Sequence, residues 1–223
     1  GLNFHGFSNP VIMDSNISEN IGQNGGGIFM QGPGSPACVN KPSPVLMNVT
    51  INDNVASPSS GGGINSTCVD AVLNDVEISN NLADYTGGGL SMDYSNFILS
   101  NVSIIGNNAN GGGGMYVKYG TPKLKDVVIK NNSAVNYGGA MQIEYASPEI
   151  NHVLMADNST LNEFQPIGSL HVVGSTFIIK NSTIAQNNSV GLSIENGTSN
   201  SKMVLINSIL WNLNHEEIHV FSG

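Results

Sequence analysis

Aliphatic residues recur along this chain at set distances from a series of asparagines. Taking Asn20, Asn54, Asn81, Asn107, Asn132, Asn158 and Asn187 as anchors gives spacings of 34, 27, 26, 25, 26 and 29 residues. Eight positions before each anchor stand Ile12, Leu46, Leu73, Leu99, Leu124, Ile150 and Ile179, and three positions before stand Ile17, Ile51, Ile78, Ile104, Ile129, Met155 and Ile184. Six before each anchor the column is polar: Asp14, Asn48, Asp75, Asn101, Asp126, His152, Asn181. Apolar and polar positions alternate between these columns, the period of a strand with one buried face. A last coil, "VLINSILWNLN", keeps the aliphatic columns and places Leu213 at the anchor.

Each anchor is followed by a small-residue stretch and then by a second alternating run. "GGGIFM", "GGGINS", "GGGLSM", "GGGGMYV" and "GGAMQI" lead into Ile28, Ile64, Leu90, Met115 and Met141, with Leu170, Leu192 and Ile218 continuing the inward column. Glycines in series weaken helix and strand alike, so they predict a corner where the backbone turns sharply and passes close to neighbouring chain. Gly111 to Gly114 is no phosphate-binding loop, because no Gly-Lys-Ser/Thr follows and no helix opens there. No window shows the spacing of an amphipathic helix, which excludes a leucine-rich repeat with a helical half. The pattern therefore predicts an all-β chain, a right-handed single-stranded parallel β-helix of about eight coils of roughly 26 residues. Coils stacked at about 4.8 Å put equivalent asparagines above one another, where their amides can hydrogen-bond as a ladder. Residues 1–223 read as a single such domain with an insertion loop at 32–44. The chain opens and closes in the same register, which predicts either further coils on both sides or head-to-tail self-association.

"NSTIAQNN" from Asn181, "NSILWN" from Asn207 and the recurrent Asn-x-Ala followed by Gly-Gly-Gly and an aliphatic residue resemble the parallel β-helix repeats of secreted and surface bacterial proteins. These include the choice-of-anchor type and, more distantly, the chlamydial polymorphic membrane protein repeats, whose Phe-x-x-Asn half is absent here. The resemblance spans essentially the whole chain and is specific for fold rather than activity. It implies an extracellular or cell-surface protein, often adhesive or anchored.

Composition narrows the function. The 223 residues include 32 asparagines and 27 glycines, 7 lysines, no arginine, and a net charge of −9. Phosphate contacts need a basic footprint, so nucleic acid is excluded as a partner. No apolar run reaches the roughly 18 residues of a membrane span, so direct membrane insertion is not expected. Nothing in the pattern calls for a cofactor.

Candidate chemistry lies on the outward face after the glycine corner. Asp93, Lys118 and Glu144 follow one another coil by coil, Tyr94, Tyr119 and Tyr145 form the next column, and Tyr116 and His171 occupy the neighbouring outward one. Tyrosines beside carboxylates suit a carbohydrate, which marks Tyr94, Tyr116, Tyr119, Tyr145 and His171 as candidate ligand contacts. Asp93 and Glu144, two coils or about 9.6 Å apart, stand near the upper limit for the acid and base of an inverting glycosidase. Simple charge compensation produces the same Asp-Lys-Glu order. A chain without arginine also lacks the arginines of pectate lyases and polygalacturonases. The leading expectation is a non-catalytic stalk, fibre subunit or adhesin, with a polysaccharide lyase or glycoside hydrolase using Asp93, Lys118 and Glu144 as the alternative.

The remaining motifs add little. "HEEIH" at His215 to His219 has zinc-protease spacing but lies on a turn and strand, where the two histidines stand about 13 Å apart. Glu19 and Asp53 form an isolated acidic pair. Nine Asn-x-Ser/Thr sequons include ladder positions such as Asn158 and Asn187, which the repeat itself accounts for. Cys38 and Cys68 begin similar strings, "CVNKPSPVL" and "CVDAVL", and are expected at equivalent corners of consecutive coils, close enough for a disulfide. An extracellular location would keep it oxidised.

Overall fold

A computed structural model describes residues 1–34, 38–162, 164–213 and 215–221. Residues 35–37 of the predicted insertion and Asn214 beside the His-Glu-x-x-His string lie outside the described residues. The described chain is a parallel β-solenoid of about eight turns of roughly 26 residues with no helix. Every turn adds one strand to each of two long sheets, and most turns add a strand to a short third one.

The front sheet holds nine strands, among them Ile28–Gln31, Ile64–Thr67, Leu90–Asp93, Met115–Lys118 and Met141–Glu144. Its register is in step, with Leu90 opposite Met115 and Met115 opposite Met141. The back sheet stacks eight-residue strands such as Val72–Ser79, Ile98–Ile105 and Lys123–Lys130. The short corner sheet runs through Val55–Ala56, Leu82–Ala83, Asn108–Gly111 and Ser133–Tyr137.

Sequence dictates where each turn bends. The polar column six before the anchor, from Asp14 through Asn48, Asp75, Asn101, Asp126, His152 and Asn181 to Asn207, has φ between 48° and 56°. Asn and Asp enter this left-handed region more readily than other side chains. Pairing skips the column, running from Ser100↔Lys125 directly to Val102↔Val127, so the back sheet is creased into two facets. A second left-handed column, Glu19, Asp53, Asn80, Gly106, Asn131, Asp157 and Gln186, precedes the anchors and turns the chain into the corner sheet.

The interior is a set of aliphatic stacks. Leu46, Leu73, Leu99, Leu124, Ile150 and Ile179 are buried, as are Ile51, Ile78, Ile104, Ile129 and Ile184 and the front-sheet column from Ile28 to Leu192. Phe97 is the largest fully buried side chain. Among the described residues small side chains fill the corner-sheet interior (Gly22, Ala56, Ala83, Ala109, Ala134, Thr160), where the glycine corner comes close. A Cβ on Gly113 would sit 2.2 Å from the carbonyl oxygen of Ser133, which explains the second glycine of each triplet as a close backbone approach.

The asparagines form the predicted ladder. From Asn20 through Asn54, Asn81, Asn107, Asn132, Asn158 and Asn187, each Nδ2 donates to Oδ1 of the next at 2.9–3.1 Å. The same Oδ1 accepts the backbone N–H of the preceding asparagine. The other Nδ2 hydrogen goes to a strand carbonyl one turn back, as from Asn107 to Ile78 at 2.9 Å. Asn212, not Leu213, continues the series, and Glu217 closes it by accepting from the Asn212 backbone N–H and Nδ2. The last coil drops the left-handed residue before the anchor, since Ala185 pairs with Trp211 and Gln186 has no counterpart.

Cys38 and Cys68 are joined in a disulfide with Cα atoms 5.1 Å apart. They are not, however, at equivalent corners. Gly32 donates to Thr67 O as Cys68 does to Asp93 O, so Gly32 is the turn equivalent of Cys68 and Cys38 reaches in from the insertion. A Cβ at Gly32 would lie 2.0 Å from the Cys68 carbonyl oxygen, leaving no room there for a side chain.

Candidate functional site

The outward face of the front sheet brings most of the candidate residues together. Strands Leu90–Asp93, Met115–Lys118 and Met141–Glu144 pair in register, which stacks Asp93, Lys118 and Glu144 in one column and Ser91, Tyr116, Gln142 and His171 in the other. The residue after each strand is left-handed: Tyr94, Tyr119 and Tyr145 have φ of 50°, 52° and 49°, in line with Cys68 below and Gly174 above. This third bend swings the tyrosine rings to one edge of the face.

The three rings stack on one another. Tyr94 and Tyr119 have centroids 4.7 Å apart at 27°, and Tyr119 and Tyr145 are 5.7 Å apart at 18°. A Cβ added at Gly174 or Gly197 would strike the Tyr145 ring at 2.6 or 2.8 Å, so this ring too is packed against the following turns. Both faces of the Tyr119 ring are covered by its neighbours, and its edge meets solvent. A sugar therefore cannot lie flat on the central ring as it would on a lone tyrosine, and contact with Tyr119 runs along its edge.

Glu144 is heavily engaged. Its carboxylate accepts from the Tyr116 hydroxyl at 3.0 Å and from Gln142 Nε2 at 2.7 Å, and Lys118 Nζ stands 3.5 Å away. Lys118 also lies 5.3 Å from the Tyr119 ring centroid. Burial and the neighbouring Glu144 charge push the Tyr116 hydroxyl far up its range, so it serves as a fixed donor. Asp93 differs. Its Oδ1 is buried without a hydrogen-bond partner, and desolvation raises its carboxyl above the usual range although Lys118 pulls the other way.

His171 stands in the face but beneath it. It is 1% exposed, lies under the Tyr137 ring at 5.3 Å, and shares a 2.8 Å hydrogen bond with Ser193 through Nδ1. A ligand could touch it only by displacing Tyr137. Ser193, His171 and Glu195, the last 3.8 Å from Nε2, look like a nucleophilic triad in composition. Ser193 is fully buried and its Oγ accepts the Gly168 N–H, so it cannot attack a bound substrate. The covering of this column by the returning corner was not legible from strand alternation. A hint lay in the positive-φ glycines such as Gly112 and Gly138, whose Cβ positions would meet the Met115 and Met141 carbonyl oxygens at 2.5 and 2.4 Å.

Other motifs separate. His219 lies on the strand Ile218–Val220 with Nδ1 2.8 Å from Glu216, and no cluster of three or more metal-ligating side chains occurs among the described residues. Glu19 and Asp53 are exposed residues of the left-handed column. Asn158 and Asn187 are buried in the ladder, closed to glycosylation in the folded chain, whereas Asn48, Asn101 and Asn181 are exposed at the crease. Among the described residues no helix is long and apolar enough to cross a membrane.

The fold and face define a parallel β-solenoid with a register-locked polar and aromatic surface. Comparisons with protein-family models, curated proteins and solved structures find no match to this chain.

Proposed function

We propose that the chain is a non-catalytic extracellular solenoid, a stalk, fibre segment or adhesin whose front face binds an extended glycan along the rod axis. The observation that carries this reading is the set of aligned columns: tyrosine edges at 4.7 and 5.7 Å steps beside Asp93, Lys118 and Glu144. A rigid lattice of hydroxyl, carboxylate and ammonium groups at coil spacing matches a polymer of repeating hydroxyls better than a compact small molecule. The net charge of −9 disfavours polyanions and favours neutral chains. Choice-of-anchor and chlamydial-type repeats supply the analogy for a surface location, and the Cys38–Cys68 disulfide is the kind of bond that persists in an oxidising compartment.

A glycan array tests the reading. Wild-type protein retains neutral polysaccharides, and the triple variant Tyr94→Ser, Tyr119→Ser, Tyr145→Ser loses retention while keeping its β-sheet circular dichroism. Equal retention by the triple variant removes this face from consideration.

Asp93 favours one second reading, a polysaccharide-cleaving enzyme, because burial shifts its carboxyl upward, the direction a general acid needs. Glu144 weighs against it, since a base or nucleophile must have a free lone pair and this carboxylate is engaged by three neighbours.

A further inference from the structure

The first facet of the back sheet carries an outward column that reads Val72, Ile98, Lys123, Glu149, Ile178, Val204. In chemical type the column is the same in both directions: two aliphatics, a charge, the opposite charge, two aliphatics. Ile98, Ile178 and Val204 are 45%, 40% and 39% exposed, whereas the inward aliphatic stacks are buried. Lys123 Nζ stands 3.9 Å from Glu149, both side chains remaining mostly exposed. A shallow depression of about 240 Å³ opens at this centre, lined by Ile98, Lys123, Glu149 and their neighbours.

We infer that this facet is the contact surface of an antiparallel dimer of the chain. A two-fold interface must be self-complementary, and this column meets that demand about a point between Lys123 and Glu149. An axis there, parallel to the strands, reverses the order of turns in the second copy while keeping each column opposite itself. Lys123 then faces Glu149 of the second copy, Ile98 faces Ile178, and Val72 faces Val204. Within this column electrostatics selects the register, and in the neighbouring outward column it sets Lys125 against Asn151 and Lys180 against Ser100, so both ammonium groups meet polar partners. Centring the axis on the Lys123 turn sets lysine against lysine, and moving it one turn step towards Ile98 sets both charges against aliphatics, which desolvates them unpaired.

The paired facet is three residues wide in four turns and five in the last two, and six turns long, roughly 10–16 by 29 Å, or on the order of 600–950 Å² over both copies. That is below the usual size of a stable interface, so the dimer is weak and reversible. The first two turns, with Val11 and Met13, extend past the overlap.

Sedimentation velocity with charge-reversal variants tests the inference. Wild type at ~200 µM sediments mainly as a dimer. Lys123→Glu alone and Glu149→Lys alone each sediment as monomers, because both facing pairs become like-charged. An equimolar mixture of the two variants regains the dimer, since every facing pair is again opposite. The pair within each chain stays broken in the mixture, so rescue reports contact between chains. Register is read by cysteine pairing: Ile98→Cys protein cross-links to Ile178→Cys protein, and neither cross-links to itself. Monomeric wild type at ~500 µM, failure of the mixture to dimerise, or self-cross-linking of Ile98→Cys overturns the inference.

Discussion

Asn107 shows how one side chain holds three turns together. Its Oδ1 accepts from the N–H and Nδ2 of Asn81, while its own Nδ2 donates to Ile78 O and Asn132 Oδ1. Leucine has similar volume and more apolar surface, yet it would strand two donors and weaken two acceptors in a dry interior, at about 1–3 kcal/mol for each orphaned group. Asn107→Leu should therefore lower the urea midpoint by an amount equivalent to ~2 kcal/mol or more, and an unchanged midpoint would show that the ladder contributes nothing net. His171 gives a pH-dependent counterpart. Burial lowers its imidazole to about 4, below the unfolded value of about 6.5, so the unfolded chain binds the extra proton between these values. The associated stability is complete above about pH 6.5 and is lost as pH falls towards 4, by about 3 kcal/mol at most. Melting curves from pH 7 to pH 4.5 should show that loss, and His171→Gln should flatten it; an unaltered slope in the variant would assign the acid sensitivity to other groups.

At the scale of strands and corners, glycine positions differ in strictness. A Cβ at Gly113 would meet Ser133 O at 2.2 Å and Ser133 C at 2.5 Å, whereas at Gly114 the nearest atom is Ala140 O at 2.6 Å. Ala140 itself holds the Gly114 column one turn on, fully buried, so that column tolerates a methyl group. Gly113→Ala should cost several-fold more stability than Gly114→Ala in thermal melts, and equal effects would contradict the close-approach reading. Much of this level was legible beforehand, because turn-to-turn stacking repeats one residue type down each column and alternation marks which face is buried. Three features were not. Asn212 escaped because the last coil omits one left-handed residue, a deletion that apolar spacing alone cannot locate. Gly32 rather than Cys38 proved the equivalent of Cys68, because a three-residue difference between similar strings hides which residue occupies the bend. His171 fell on an outward position, yet the returning corner and Tyr137 bury it.

For the whole molecule, the same stacking that builds the core fixes the surface, so Asp93, Lys118, Glu144 and the three tyrosines hold their spacing without a hinge or loop to adjust it. A rod of eight turns at about 4.8 Å is some 38 Å long, enough to display several saccharide units in line. Such a surface suits retention, because Glu144 is already engaged by Tyr116, Gln142 and Lys118 and the stacked rings present fixed contacts. The central claim is binding without turnover. Its most direct test is to incubate purified protein with a panel of neutral and acidic polysaccharides and measure retained polymer, new reducing ends and unsaturated products in the same samples. The account predicts retention of at least one neutral polymer with no product above the blank over a day. Product formation that disappears in Asp93→Asn would contradict it and establish the front face as a catalytic one.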